Sequence, residues 1–214
     1  MFNVVRKIVL RILDNSIVFE LQQKYLGGTT KVYRAFINER IKFEADTRLL
    51  DVGCGIGNFC DDFKCSYSGV DINPGYIESA RQASPTGDFH VMSGTGMDFA
   101  DGEFDQVVTI ATLHHIDDAG VVDTIREARR VCRDDGVVHI IEPIYPLKPH
   151  KLFNYLVFAL DRGNHQRTFG QLQTLLAGMF PIENTGTKEA VPHDVCYFSI
   201  PASEGFQENG PAGP

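Results

Sequence analysis

Leu49-Leu50-Asp51-Val52-Gly53-Cys54-Gly55-Ile56-Gly57-Asn58 is an apolar run that passes into three glycines at every second position. The run predicts a buried strand, and the glycines predict a tight turn that opens a helix. Glycine permits left-handed backbone and lets main-chain N–H groups approach a ligand with no Cβ in the way. A dinucleotide loop reads GxGxxG, with its third glycine three positions after the second; here the third comes two positions after. Asp51 stands two residues before the first glycine. A carboxylate aimed into such a loop repels a pyrophosphate and attracts an ammonium group. The loop therefore suits a ligand with a positive amine and little negative charge, and it opposes an NAD-dependent oxidoreductase.

Working outward, Tyr67-Ser68-Gly69-Val70-Asp71 reads as the next strand, with Asp71 at its carboxyl end, 20 residues after Asp51. A carboxylate in that place accepts hydrogen bonds from ribose hydroxyls, and ligands of open α/β sheets bind outside the carboxyl ends of the strands. Both acids are thus expected to face one crevice. Apolar runs recur at 89–92, 104–111 and 137–141, with helical stretches at 74–83 and 117–132 between them. Strands that are apolar throughout imply a parallel sheet covered on both faces. Helical stretches at 149–161 and 168–179 follow, then strand candidates at 181–189 and 193–200 with no helix between them. Consecutive strands imply an antiparallel hairpin. Ahead of the sheet, residues 2–26 place Phe2, Val5, Ile8, Val9, Ile12 and Leu13 at helical spacing. Gly27-Gly28 ends that pattern, and Thr29 or Thr30 caps a further helix to about Ile41.

Charge divides the chain at the same boundary. The 214 residues carry a net charge of −8. Residues 1–48 hold nine Lys/Arg against five Asp/Glu, and the remainder holds eleven against twenty-three. The acidic balance argues against a nucleic-acid partner held by phosphate contacts. The five cysteines, Cys54, Cys60, Cys65, Cys132 and Cys196, are odd in number and contain no CxxC. They read as reduced thiols in a cytoplasmic protein, with no metal site. The longest apolar stretch, at 152–160, is about half of the roughly 20 residues a membrane span needs. Residues 202–214 are rich in Gly and Pro and poor in apolar residues, the composition of a disordered tail.

The set Asp51-x-Gly53-x-Gly55-x-Gly57 followed by Asp71 resembles class I S-adenosylmethionine (SAM) dependent methyltransferases. The resemblance continues at Asp101-Gly102-Glu103-Phe104-Asp105, Leu113-His114-His115-Ile116 and Arg126-Glu127-Ala128-Arg129-Arg130-Val131, and covers roughly residues 46–142. It is similar to the small-molecule branch that includes quinone-biosynthesis methyltransferases. The fold implied is a Rossmann-like, doubly wound sheet of seven strands, mostly parallel with a C-terminal antiparallel strand. The division implied is a helical lid at 1–45, a SAM-binding domain at 46–201 and a tail at 202–214. Gly53, Cys54, Gly55 and Gly57 would line the methionine part of SAM, and Asp51 would hold its amine. Asp71 would bind the ribose and Ile72 would pack on adenine. Ser93 stands where the family often carries an acid for the adenine edge. Gly94 and Thr95 would substitute through their backbone, and Met97 would pack on the ring. Ala111 to His114 would run beside the transferring methyl. Arg133-Asp134-Asp135-Gly136 replaces the commoner Pro-Gly-Gly turn, a change at a surface loop.

Methyl transfer from a sulfonium relies chiefly on positioning, and a base is needed only where the acceptor loses a proton. His114 and His115 are the candidate bases, because histidine titrates near neutrality and both follow the fourth strand. The alternative for both is that they orient a loop. Glu142 is expected at the crevice mouth, as an acceptor contact or a strand-end cap. Arg162, His165 and Arg167 could grip a carboxylate or phosphate on the acceptor, or form a salt-bridged helix end. No Asp/Asn-Pro-Pro-Tyr follows the fourth strand, which opposes methylation of exocyclic amines. The N-terminal helices have three readings: a lid over the acceptor, a membrane-surface contact through Arg6, Lys7 and Arg11, or a homodimer contact. Against the enzyme stands a non-catalytic SAM-binding or scaffold protein, since methyl transfer needs no fixed nucleophile.

Overall fold

The computed structural model describes residues 28–148, 165–191 and 193–202. The expected helices over 2–26, the helical stretch 149–161, Arg162 and the tail beyond Ala202 lie outside the described residues.

The strands are β1 (Arg48–Val52), β2 (Ser66–Asp71), β3 (Asp88–Val91), β4 (Phe104–Ile110), β5 (Cys132–Ile144), β6 (Asn184–Lys188) and β7 (Asp194–Pro201). They form one sheet in the order β3-β2-β1-β4-β5-β7-β6. The pairs from β3 across to β5 are parallel. β7 inserts antiparallel between β5 and β6. The order reverses between β2-β1 and β1-β4, so the crevice opens beyond the carboxyl end of β1. The chain is thus the expected doubly wound α/β sheet, and its C-terminal hairpin puts the later strand inside and the earlier one at the edge.

Side chains alternate along each strand and so divide the core in two. Leu50, Val52, Val107, Val138, Ile140 and Phe198 pack under α3 (Asp118–Val131) and α4 (Phe169–Ala177). Leu49, Val108, Ile141, Val195 and Tyr197 pack under α1 (Gly28–Arg40) and α2 (Pro74–Ala83). α2 starts where Asn73 accepts from Gly75 N, with Pro74 at the first helical position, as a fixed proline φ favours. α3 starts where Asp117 accepts from Gly120 N. A reciprocal Thr168–Gln171 capping box opens α4.

Two local expectations need correction. The glycine loop does not open an α-helix: a single 3-10 turn, Cys60–Asp62, follows it. The eight residues between Gly57 and β2 leave no room for several helical turns. The described part of the proposed lid, α1, is built into the sheet layer. It buries Tyr33, Phe36 and Ile37, and Phe36 stacks on Tyr197 with ring centroids 5.7 Å apart.

α3 runs straight into β5. The ladder pairs Phe104 with Cys132 and then Gln106 with Val137. Residues 133–135 are exposed in this bulge, as expected of a surface turn. Arg133 closes it through Asp105 and Asp135, each at 2.6 Å. A Cβ on Gly136 would lie 2.5 Å from Asp105 O and 2.6 Å from Cys132 Sγ. Gly136→Ala should therefore cost about 1–3 kcal/mol of unfolding free energy, measured by urea denaturation; an unchanged midpoint would show that the bulge yields.

Candidate active site

Gly53, Gly55 and Gly57 all have positive φ, at 79°, 56° and 77°. Each does a separate job. A Cβ on Gly53 would collide with Thr112 at 2.3 Å, so this glycine lets the loop after β1 touch the turn after β4. A Cβ on Gly57 would meet Phe89 and Ala80 at 3.1 and 3.2 Å. At Gly55 nothing lies within 4 Å, so the middle glycine borders open space. The Cys54 side chain turns inward: it is 7% exposed and sits against Gly69. Burial pushes its thiol well above the usual range. Only its backbone belongs to the loop surface.

Asp71 ties the loop to the next strand. Its oxygens accept from Gly55 N at 3.0 Å and from Asn73 N at 2.8 Å. Beside it Ile72 is 74% exposed, an apolar side chain at the crevice edge. Asp51 is deeper, at 1% exposure. Its Oδ2 accepts from the Tyr67 hydroxyl at 2.7 Å. Its Oδ1 is buried and has no hydrogen-bond partner among the described residues. Burial pushes the Asp51 carboxyl up to about 7; the Tyr67 hydrogen bond pulls it down, and the Asp71 charge raises it further. A buried, unanswered carboxylate oxygen below a glycine loop fits a ligand that brings a cationic donor.

The turn after β4 is built around Glu142. Ala111 has φ 54°, left-handed for a residue with a Cβ. Thr112 Oγ1 donates within reach of Gly53 O at 3.2 Å. Thr112 N and Leu113 N both donate to Glu142 Oε1, at 2.7 and 2.8 Å. Glu142 Oε2 lies 3.0 Å from His114 Nδ1. Glu142 is 1% exposed, so it does not stand at the crevice mouth: its oxygens serve this turn. His114 is buried at 6%, whereas His115 is exposed, with its ring centroid 4.0 Å from that of His114.

Arg167 takes the second of the two roles expected of it, the salt-bridged one, through Asp118. Its Nε donates to Asp118 Oδ1. Nη1 donates to Leu113 O and His165 O, and Nη2 to Ile116 O and Asp118 Oδ1. These five bonds use all five guanidinium protons. Arg167 therefore clamps the 113–118 turn from outside and has no proton left for an acceptor anion. His165 is exposed and borders a cavity of about 580 Å³ with Asp118, Gln166, Gln171 and Thr174. A smaller concavity of about 310 Å³ lies at the opposite end of the strands, by Asp46, Asp105 and Arg133, away from the carboxyl ends where such sheets bind ligands.

In the loop after β3, Ser93 Oγ lies 2.9 Å from Thr95 Oγ1, and Gly96 N donates to Ser93 O. Gly94 is half-buried and Thr95 is exposed. Met97 does not face the adenine position: it is 5% exposed and belongs to the core under α3. Glu127 and Arg130, not recognised as functional from sequence, hold this loop. Glu127 accepts from Met97 N at 2.7 Å. Arg130 donates to Met97 O, Phe99 O and Asp101. Their three-residue spacing on a helix was the available signal. Tyr67 and Thr112, the partners of Asp51 and Gly53, carried no comparable signal.

A sheet of this order, with its glycine loop and two acids at the carboxyl end, is the architecture of class I SAM-dependent methyltransferases. Residues 50–140 match the family described as a methyltransferase domain. Demethylmenaquinone methyltransferase of Chlorobaculum parvum is 26% identical over 172 residues, covering 78% of this chain and 65% of that protein. The 2-methyl-6-phytyl-1,4-hydroquinone methyltransferase of Synechocystis is 30% identical over 103 residues, covering 45% of this chain and 32% of that protein. The chain thus spans less than two thirds of the length of both relatives. A SAM-dependent methyltransferase structure from Methanosarcina mazei shares the fold, with a TM-score of 0.62 at 22% identity over 74% of this chain and 93% of its own.

The position of Asp51 sets a pH dependence. Its ordinary value is 3.8 and its value in the fold is about 7. Folding therefore takes up a proton between about pH 4 and 7, and the ligand-free protein should lose stability as pH rises through that window. Binding of an ammonium ligand needs the carboxylate, so affinity should rise up to about tenfold per pH unit until about pH 7, then level off. Thermal melts with and without S-adenosylhomocysteine (SAH) from pH 5 to 8 check both slopes. Parallel curves would mean that Asp51 does not meet the amine.

Proposed function

We propose that this chain transfers a methyl group from SAM to a small-molecule acceptor. The observation that carries the reading is the buried Asp51, with one unanswered oxygen, beneath glycines whose middle member borders open space. SAM supplies a methyl on a sulfonium, whose departure leaves a neutral thioether. Asp51 would hold the amine, and the backbone of Gly53, Cys54 and Gly55 would border the methionine part. Asp71 would accept from the ribose hydroxyls with the lone pairs its two backbone contacts leave over. Ile72 would cover one face of adenine, and Ser93, Gly94 and Thr95 would meet its edge. Ala111 to His114 would wall the methyl position, close to Gly53 through Thr112. The residues' main contribution is to fix two reactants in line and exclude water.

The relatives support one class of acceptor. Their names give a quinone precursor and a hydroquinone as acceptors, and an aromatic hydroxyl compound is the reading we adopt here. The net charge of −8 opposes a nucleic-acid acceptor. No described helix is long and apolar enough to cross a membrane. A cytoplasmic site of action agrees with five free cysteines.

Calorimetry should show SAH binding in the micromolar range, and tight NAD binding in its place would sink the reading. Asp71→Ala should weaken SAH by at least tenfold while circular dichroism stays native. Unchanged affinity would put the ligand elsewhere.

A further inference from the structure

The connection from β3 to β4 is held from one face of α3. Thr124, Glu127 and Arg130 stand three residues apart on that helix. A Cβ on Gly94 would lie 2.8 Å from Val52 Cγ1 and 3.4 Å from Thr124, so the turn at 93–96 sits between the end of β1 and α3. Further along, Glu127 Oε1 accepts from Met97 N at 2.7 Å, and Arg130 Nη2 donates to Met97 O at 2.9 Å. Both main-chain groups of Met97 are thus answered by one ion pair, whose members bond each other at 2.7 and 2.9 Å. The remaining Arg130 protons go to Phe99 O and Asp101, and Gly102 N donates back to Arg130 O.

Ahead of this fixed point the chain makes a tight turn at the carboxyl ends of the strands. Met92 N donates to Asp71 O at 3.1 Å, and Gly96 N donates to Ser93 O at 3.2 Å. Residues 92–97 contain no acid, and the Ser93 hydroxyl is engaged within the turn by Thr95 Oγ1 and Thr95 N. Such a turn meets a purine edge chiefly through its main chain, and main-chain recognition needs a backbone held in place. We propose that Glu127 and Arg130 are positioning residues for the base of the cofactor: through Met97 they hold the turn at 93–96 in the shape that meets the adenine edge. This rests on the SAM-binding reading above and deepens it.

Adenine presents a 6-amino donor beside the N1 acceptor. Hypoxanthine reverses both, with a 6-oxo acceptor beside an N1–H donor. A fixed N–H and C=O that suit the first reject the second, whereas a loosened turn adapts to either. Loss of the pair should therefore be felt at the base and not along the methionine part, where the glycine loop is tied to Asp71 and Thr112.

Calorimetry on the full chain with SAH and with S-inosylhomocysteine, its hypoxanthine analogue, tests this. The wild type should prefer SAH by about tenfold or more. Glu127→Ala should bind SAH about tenfold more weakly and lose the preference to within about threefold, with native circular dichroism. Glu127→Gln keeps an oxygen for Met97 N and should recover most of the preference. A pair that only supported the fold would weaken both ligands equally. A wild type that binds the two alike, or Glu127→Ala with its preference intact, therefore overturns the proposal. Should Glu127→Ala not fold, Arg130→Gln replaces it, and an undiminished preference there overturns the proposal too. A wild type that binds neither ligand defeats the methyl-transfer reading itself, and the proposal with it.

Discussion

Two backbone N–H groups, those of Thr112 and Leu113, turn inward after β4, and a buried carboxylate answers them both. Unanswered, each would cost on the order of 1–3 kcal/mol. Glu142 can reach them because β5 lies next to β4 in register, with Ile110 opposite Ile141. The left-handed Ala111 and the collision-free contact of Gly53 with Thr112 depend on the same turn. A parallel pair in the middle of the sheet thus fixes a turn, the turn fixes a histidine, and a threonine in it carries the constraint across to the glycine loop.

Two of the buried acids, Asp51 and Glu142, belong to opposite faces of the sheet. Asp51 shares the side of Leu49 with α1 and α2, while Glu142 shares the side of Ile140 with α3 and α4. Their partners differ accordingly. Glu142 is surrounded by donors from its own chain. Asp51 has the Tyr67 hydroxyl for one oxygen and nothing described for the other. One buried acid thus has both oxygens answered by described residues, and the other has only one.

The strand-and-glycine pattern made most of the sheet legible, because a short, mostly apolar run ending in alternate glycines constrains backbone directly. Asp71 and Ile72 could be placed at a strand end for the same reason. What stayed hidden depended on contacts between distant residues. Nothing near Arg167 in sequence shows that Leu113, Ile116 and Asp118 will exhaust its protons, so an anion grip and a salt-bridged end both stay open from sequence alone. Met97 read as an adenine contact because the loop position suggested it; the core under α3 claimed it instead. Glu142 read as a crevice residue because it follows the apolar part of β5, and β5 continues three residues further than the apolar run. The helix expected after Gly57 failed on length alone.

Tyr145 N donates to Arg167 O at 3.2 Å, and the Tyr145 hydroxyl reaches Gln166. The chain that leaves β5 and the chain that enters α4 are thus joined at a neck, and Arg167 rivets that neck to the turn carrying His114. The bonds run in series from Tyr145 N to Arg167 O and from Arg167 Nη1 to Leu113 O, so a pull on the chain leaving β5 reaches the turn after β4 without passing through the sheet.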